Sequence, residues 1–249
     1  MNKVDELYTP RLVRTRDLVV HSGILKTILD DAADPRVLER FLIEYCSLGV
    51  QITEPVEDWI ERAGRRCLEI ELPEVGNALV SHASHESGHH LMFMDDTRKL
   101  VAHWNGRYAD DLDAERLFAR PPTQAMQHYV ALHEETIHGP LPFGQVAVEL
   151  EIERLSVVLV PRLIAQVERR LGKEVTSSLT FLSSHGELDV GHTRLNTRMM
   201  QTLLELRPDA VGDLARIGAE AMFVYMAFFE ECWDMALQAC RDRTRSAAE

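Results

Sequence analysis

Cysteine, long apolar runs and clustered positive charge are all scarce in this sequence, and each scarcity removes a class of function. Four cysteines occur, Cys46, Cys67, Cys232 and Cys240. They are widely spaced and form no Cys-x-x-Cys pair, so neither a zinc ribbon nor a redox dithiol is expected. They read as reduced, mostly buried thiols of a cytoplasmic protein. No apolar stretch approaches the roughly 18 residues of a membrane span. The longest candidate, SVVLVPRLIAQV, is interrupted by Pro161 and Arg162. The opening MNKVDELYTPRLVRTR has no apolar core of signal-peptide length. Lysine and arginine total 27 against 40 acidic residues, a formal net charge of −13. Such a chain has no electrostatic footprint for nucleic acid or an anionic membrane. The nearest approach to a basic run, RDRTR at 241–245, lies in a mixed-charge tail. Also missing are a G-x-G-x-x-G fingerprint, a Walker loop, a G-x-S-x-G elbow and a C-x-x-C-H haem attachment.

Helical periodicity dominates, and period-two alternation is nearly absent. Apolar residues recur every three or four positions from about 10 to 31. Asp34-Pro35 marks a break, with Pro35 suited to a first helical turn, and a second helix runs to about Val50. Thr53-Glu54-Pro55 opens a third helix that Pro73 closes. A fourth is expected from about 75 to 105. Residues 106–122 are the loosest part of the chain and a candidate lid. Further helices are expected at 123–138, at 143–171 with a kink at Pro161, at 174–206 and at 209–243. With no repeat and no long linker, residues 1–249 read as one all-α domain, a bundle of about seven helices. The final helix, AEAMFVYMAFFEECWDMAL, is apolar on most faces, which fits core burial or a homodimer interface.

Three stretches carry ligand chemistry. In FLSSHGELDVGHTRLN, Asp189 lies about 40° from His185 around a helix and His192 about 20° the other way. All three therefore project from one stripe. Leu182, Leu188 and Leu195 place that stripe at the edge of the core, where a buried carboxylate needs a partner. In SHASHESGHH, residues 81–90, four of ten residues are histidine, against eleven in the whole chain. Glu86 and His89 have the Glu-x-x-His spacing by which one helical turn supplies two ligands in carboxylate-bridged bundles. His82, His85 and His90 are near enough to compete with them. In VAVELEIERLSVV, Glu149 and Glu153 share a helix face and Glu151 points elsewhere. Carboxylates mixed with imidazoles suit iron or manganese rather than structural zinc. Six or more ligands exceed the need of one catalytic ion, so two ions bridged by carboxylate fit the count better. His21, His103, His128, His133 and His138 are assigned no role.

This pattern resembles the haem-oxygenase-like di-iron oxidase/oxygenase superfamily. The match rests on Glu86-x-x-His89, a glutamate on a later helix, and His185-x3-Asp189-x2-His192, and it covers about residues 40–200. The resemblance implies a haem-oxygenase-like helical bundle. It implies two Fe2+ ions (or manganese), with O2 as co-substrate. It also implies oxidation of a small biosynthetic substrate such as an amino acid, an amine by N-oxygenation, or a fatty acid. Carried over by position, the metal ligands are Glu86, His89, Glu153, His185, Asp189 and His192. Glu153 is preferred to Glu149 because its 32-residue gap to His185 fits the family spacing. Some members carry a carboxylate seven positions before the first histidine, where this chain has His82. Two other readings remain: a metal-independent protein of the same fold, such as a thiaminase-like hydrolase or a cofactor-free oxidase, and a non-catalytic metal-binding helical protein.

Overall fold

The computed structural model describes residues 2–246, apart from the side chains of 186–189 and 243–246. Among the described residues every regular element is helical. The α-helices are α1 (Thr9–Val20), α2 (Gly23–Ile28), α3 (Pro35–Thr53), α4 (Val56–Glu69), α5 (Pro73–Ala83), α6 (His89–Tyr108), α7 (Ala114–Phe118), α8 (Gln124–His138), α9 (Gln145–Leu171), α10 (Lys173–Thr176), α11 (Thr180–Leu206) and α12 (Val211–Ser246). Seven of these twelve have fourteen or more residues, and they form the frame expected from periodicity.

The boundaries follow local chemistry. The expected helix over 10–31 is divided because the Ser22 side chain accepts the amide of Leu25 and starts α2 afresh. Asp34 caps α3 by accepting the amide of Arg36, with Pro35 in the first turn. Pro73 opens α5 instead of closing the preceding helix, since a first-turn proline needs no N–H partner. The expected helix over 75–105 is broken between Ala83 and His89, where Gly88 takes φ 78°. A left-handed residue cannot continue a right-handed helix, and glycine adopts that conformation with least strain. α9 runs on through Pro161.

The segment at 106–122 is tied down. The Asn105 side chain donates to the Leu112 carbonyl and accepts its amide, and Gln51 donates to the carbonyls of Phe118 and Arg120.

α4 and α5 lie close enough that a Cβ added at Gly64 would stand 2.8 Å from the Gly76 carbonyl oxygen. α9 packs along α11, and α12 lies against α1, α3, α8 and α9. A continuous set of buried apolar residues runs through these contacts from Val4 to Cys240, with Phe41, Tyr45, Trp59 and Phe228 among its largest side chains. α12 therefore spends most of its apolar surface inside the fold and leaves Phe223 half exposed. None of the described helices is long and apolar enough to cross a membrane.

Several buried carboxylates hold elements together through guanidinium groups. Arg16 of α1 grips Glu151 of α9 with two hydrogen bonds, of 2.8 and 2.7 Å. Glu44 takes Arg40 and Arg120, and Glu39 takes Arg107. Asp96 of α6 instead caps α11, accepting the Thr180 hydroxyl at 2.6 Å and the Phe181 amide at 2.8 Å.

Candidate metal centre

The four ligand-bearing segments meet where α5, α6, α9 and α11 come together. His82 is on the last turn of α5 and is fully buried. Glu86 lies in the turn between α5 and α6, and His89 is the first residue of α6. The Glu-x-x-His pair is thus not on one continuous helix, yet its spacing survives. The His89 amide donates to the Glu86 carbonyl, and His89 Nδ1 lies 2.9 Å from Glu86 Oε2. Positions i and i+4 on α9 turn Glu149 and Glu153 the same way. Positions i and i+7 on α11 do the same for His185 and His192.

The potential ligand atoms fall into overlapping groups, each with its atoms within 4.8 Å of one another. One group is Glu86, His89 and His185; a second is His82, Glu149 and Glu153; a third, Glu86, Glu153 and His192, joins them. His192 Nδ1 stands 3.4 Å from Glu86 Oε1 and 3.6 Å from Glu153 Oε1, and His82 Nε2 stands 3.5 Å from Glu153 Oε1. The exposed His85 joins His82 and His192 in a fourth group. His90 belongs to no group among the described residues. Glu149 and Glu153 both face the cluster. The side chain of Asp189 lies outside the described residues.

Surrounding groups set the orientation of these side chains. His185 Nδ1 donates to the Phe181 carbonyl at 2.8 Å, which leaves the Nε2 lone pair directed at the cluster, 3.2 Å from His89 Nδ1. The Asn196 amide donates to Glu153 Oε2 at 2.6 Å, and the Gln145 amide donates to Glu149 Oε1 at 2.6 Å. Gln145 in turn meets the buried His133, whose ring stacks on Trp59 at 4.0 Å. Sequence reasoning left His133 without a role. Its link to the cluster passes from α8 through Gln145 to Glu149 of α9 and leaves no trace in local spacing.

The electrostatics are those of a site with too much negative charge for its own side chains. Burial, reinforced by Glu153 and Glu86 nearby, pushes the Glu149 carboxyl up to about 8. Burial also works to raise Glu86, but the hydrogen bond from His89 and the three surrounding imidazoles outweigh it and hold Glu86 below its usual range. Burial lowers His185 to about 4 and lowers His192, favouring the neutral, ligand-competent imidazole. Both ring nitrogens of His82 are buried and have no hydrogen-bond partner among the described residues. An unsatisfied buried imidazole is costly, and a cation at Nε2 would remove the part of that cost that falls on this nitrogen. With its mixture of carboxylates and imidazoles, the cluster could hold metal ions.

A cavity of about 1120 Å³, open mouth included, adjoins the cluster. Glu86, Glu149, Glu153, His185 and His192 form part of its wall. Most of the remainder is apolar, from α2, α3, α6, α9, α11 and α12. No residue of 106–122 lines it among the described residues, so the expected lid does not cover this site.

No family model matches the chain. None of the curated proteins matches its sequence. Among solved structures it is similar to a domain of unknown function with a haem oxygenase-like fold from Shewanella denitrificans OS217. The TM-score is 0.74 at 16% sequence identity, over 91% of this chain and 90% of that one. At that identity the likeness establishes architecture alone, and the architecture agrees with the helical frame described above: the chain has a haem oxygenase-like fold.

Proposed function

We propose that the protein is a non-haem di-iron oxygenase or oxidase acting on a small molecule. The observation that carries this reading is the pair of adjoining ligand groups sharing Glu86, with the ring nitrogens of the buried His82 lacking a hydrogen-bond partner among the described residues. Glu86, His89 and His185 would hold one ion. Glu153 and His192 would hold the second, with Asp189 completing the set by resemblance and His82 and Glu149 within reach. Ferrous ions there would supply electrons for reduction of dioxygen, and manganese suits the same donors. The protein's own part is to fix the ligands through Asn196, Gln145 and the Phe181 carbonyl, and to hold substrate in a largely apolar, water-poor cavity. Access to that cavity favours catalysis over metal storage.

A metal-independent cysteine hydrolase fits less well. Burial pushes the thiols of Cys46 and Cys232 well above their ordinary range and Cys67 up to about 12, which removes the thiolate nucleophile at these positions.

The test is metal analysis of protein produced with iron. About two irons per chain are expected, falling sharply in H185A and D189A. Protein that stays metal-free when given ferrous iron anaerobically would sink the reading. A dioxygen-dependent absorption change after iron loading would then separate an oxidase from a passive iron binder.

A further inference from the structure

The group of His82, His85 and His192 differs from the other three ligand groups in two respects: among the described residues it holds no carboxylate, and it alone includes an exposed residue, His85. Local structure brings the three rings together. His82 lies on the last turn of α5, and the turn that follows is closed by the His85 amide donating to the His82 carbonyl at 2.9 Å, which brings His85 back beside it. α11 supplies His192. The His85 and His192 rings lie nearly parallel, 15° apart with centres 5.8 Å from each other, and the His82 ring stands across both at 6.0 and 5.1 Å. Exposure falls inward through the set. His85 is exposed, the His192 side chain is 14% exposed, and His82 is fully buried. The ring nitrogens of His82 have no hydrogen-bond partner among the described residues, so the innermost ring is left without a neighbour to satisfy it.

Two of these imidazoles are shared with the inner groups. His82 also belongs with Glu149 and Glu153, and His192 with Glu86 and Glu153. A neutral imidazole has one lone pair and binds one ion at a time. Occupation of the outer group and filling of the inner ones are therefore successive events. Glu153 Oε1 stands 3.5 Å from His82 Nε2 and 3.6 Å from His192 Nδ1, next to both shared rings. An ion resting on the three imidazoles can thus move inward by a single exchange. Its bond to His85 breaks, a bond to Glu153 forms, the bonds to His82 and His192 are kept, and no electron is transferred. Charge gives the exchange its direction. The outer group is made of neutral rings, whereas the inner groups offer carboxylates in an interior that screens charge poorly. The net charge of −13 draws cations toward the protein from solution.

We propose that His85, His82 and His192 form an entry site that takes a divalent transition-metal ion from solvent and passes it to the carboxylate cluster. This inference rests on the reading of the cluster as a metal centre and is independent of the reaction performed there.

The experiment follows metal filling rather than turnover. Metal-free full-length protein is mixed anaerobically with Co2+ in a stopped-flow instrument, filling is followed by the visible absorption of bound cobalt, and cobalt per chain is measured at completion. His85→Ala should fill at least about tenfold more slowly than the wild type, the scale on which loss of one group at a metal site acts, and should reach the same final count. His85→Gln serves if the alanine variant does not fold. His90→Ala, in the same stretch but in no ligand group, should fill at the wild-type rate. The entry site is overturned if His85→Ala fills as fast as the wild type, or if His90→Ala is slowed as much. It is also overturned if His85→Ala stays below the wild-type count at saturating cobalt, which would make His85 a resident ligand. Wild-type protein that takes up no cobalt would defeat the metal centre itself, whereas a full count reached at equal rates would defeat the entry site alone.

Discussion

Glu149, Glu151 and Glu153 lie within five consecutive residues of α9, all three are buried, and the protein treats them in two different ways. Glu151, on one face, is gripped by the guanidinium of Arg16, with Arg154 3.8 Å away. Glu149 and Glu153, on the other face, meet imidazoles and amides: His82, His192, Gln145 and Asn196. A guanidinium is always charged and settles the account of a carboxylate within the chain itself. An imidazole can be neutral and an amide always is, so the second face keeps negative charge available for something from outside. The same division holds elsewhere, since Glu39 and Glu44 are matched by arginines and lie away from the cavity. The difference teaches that a buried carboxylate is uninformative by itself, and that the chemistry of its partners separates a joint of the fold from a site.

The comparison can be broken most directly at Glu86, which belongs to two of the four ligand groups. Glu86→Ala should abolish binding of both irons, read as metal per chain after ferrous loading. Arg16→Met on the other face should leave that count unchanged. The next effect is on folding. Arg16→Met leaves Glu151 with Arg154 alone, at 3.8 Å, and should cost up to about 3 kcal/mol, less than a fully uncompensated buried charge, visible as a lower denaturant midpoint.

The third effect has the opposite sign. Glu149 has a folded pKa of about 8, above the 4.5 of the unfolded chain. As pH rises, the unfolded chain gives up that proton first. The contribution of Glu149 to the stability of the metal-free protein should therefore fall between pH 4.5 and 8 and level off above, by about 3 kcal/mol at pH 7, while His185, lowered to about 4, contributes in the opposite direction between pH 4 and 6.5. Glu149→Gln cannot ionise and should remove that contribution, which is checked by denaturant titrations across the window. Removing a guanidinium partner should thus weaken the protein, whereas removing a cluster carboxylate should strengthen its metal-free form. The smallest effect belongs to the cap that seats the histidine helix. Asp96→Ala should cost about 1 kcal/mol and loosen the start of α11, seen as faster amide exchange at Phe181.

Much of this was legible in the sequence. The spacing of Glu149 with Glu153, and of His185 with His192, fixed shared faces because helical geometry is local. The long helices followed from periodicity and from proline and aspartate signals. The break between Ala83 and His89 did not. SHESGHH differs from a helical stretch only in two serines and a glycine, and the positive φ of Gly88 becomes visible in three dimensions. The competition among His82, His85 and His90 was equally hidden, because it depends on which side of the turn faces α9. The cavity draws on residues from Leu25 to Phe229, and no window of sequence brings those together.

Because Glu86 occupies a turn between helices, the two halves of the histidine-rich stretch are joined there by backbone that no helix rigidifies. An ion held by Glu86 and His89 together with His185, or by Glu86 with Glu153 and His192, would act as a reversible crosslink between segments about a hundred positions apart. It would restrict the unfolded chain much as a long covalent loop does. Unlike a covalent bond, its strength would scale with supply: about 4 kcal/mol when free metal stands a thousandfold above its dissociation constant, and nothing when metal is scarce. The lifetime of the folded protein would then track the metal available to it, quite apart from any turnover.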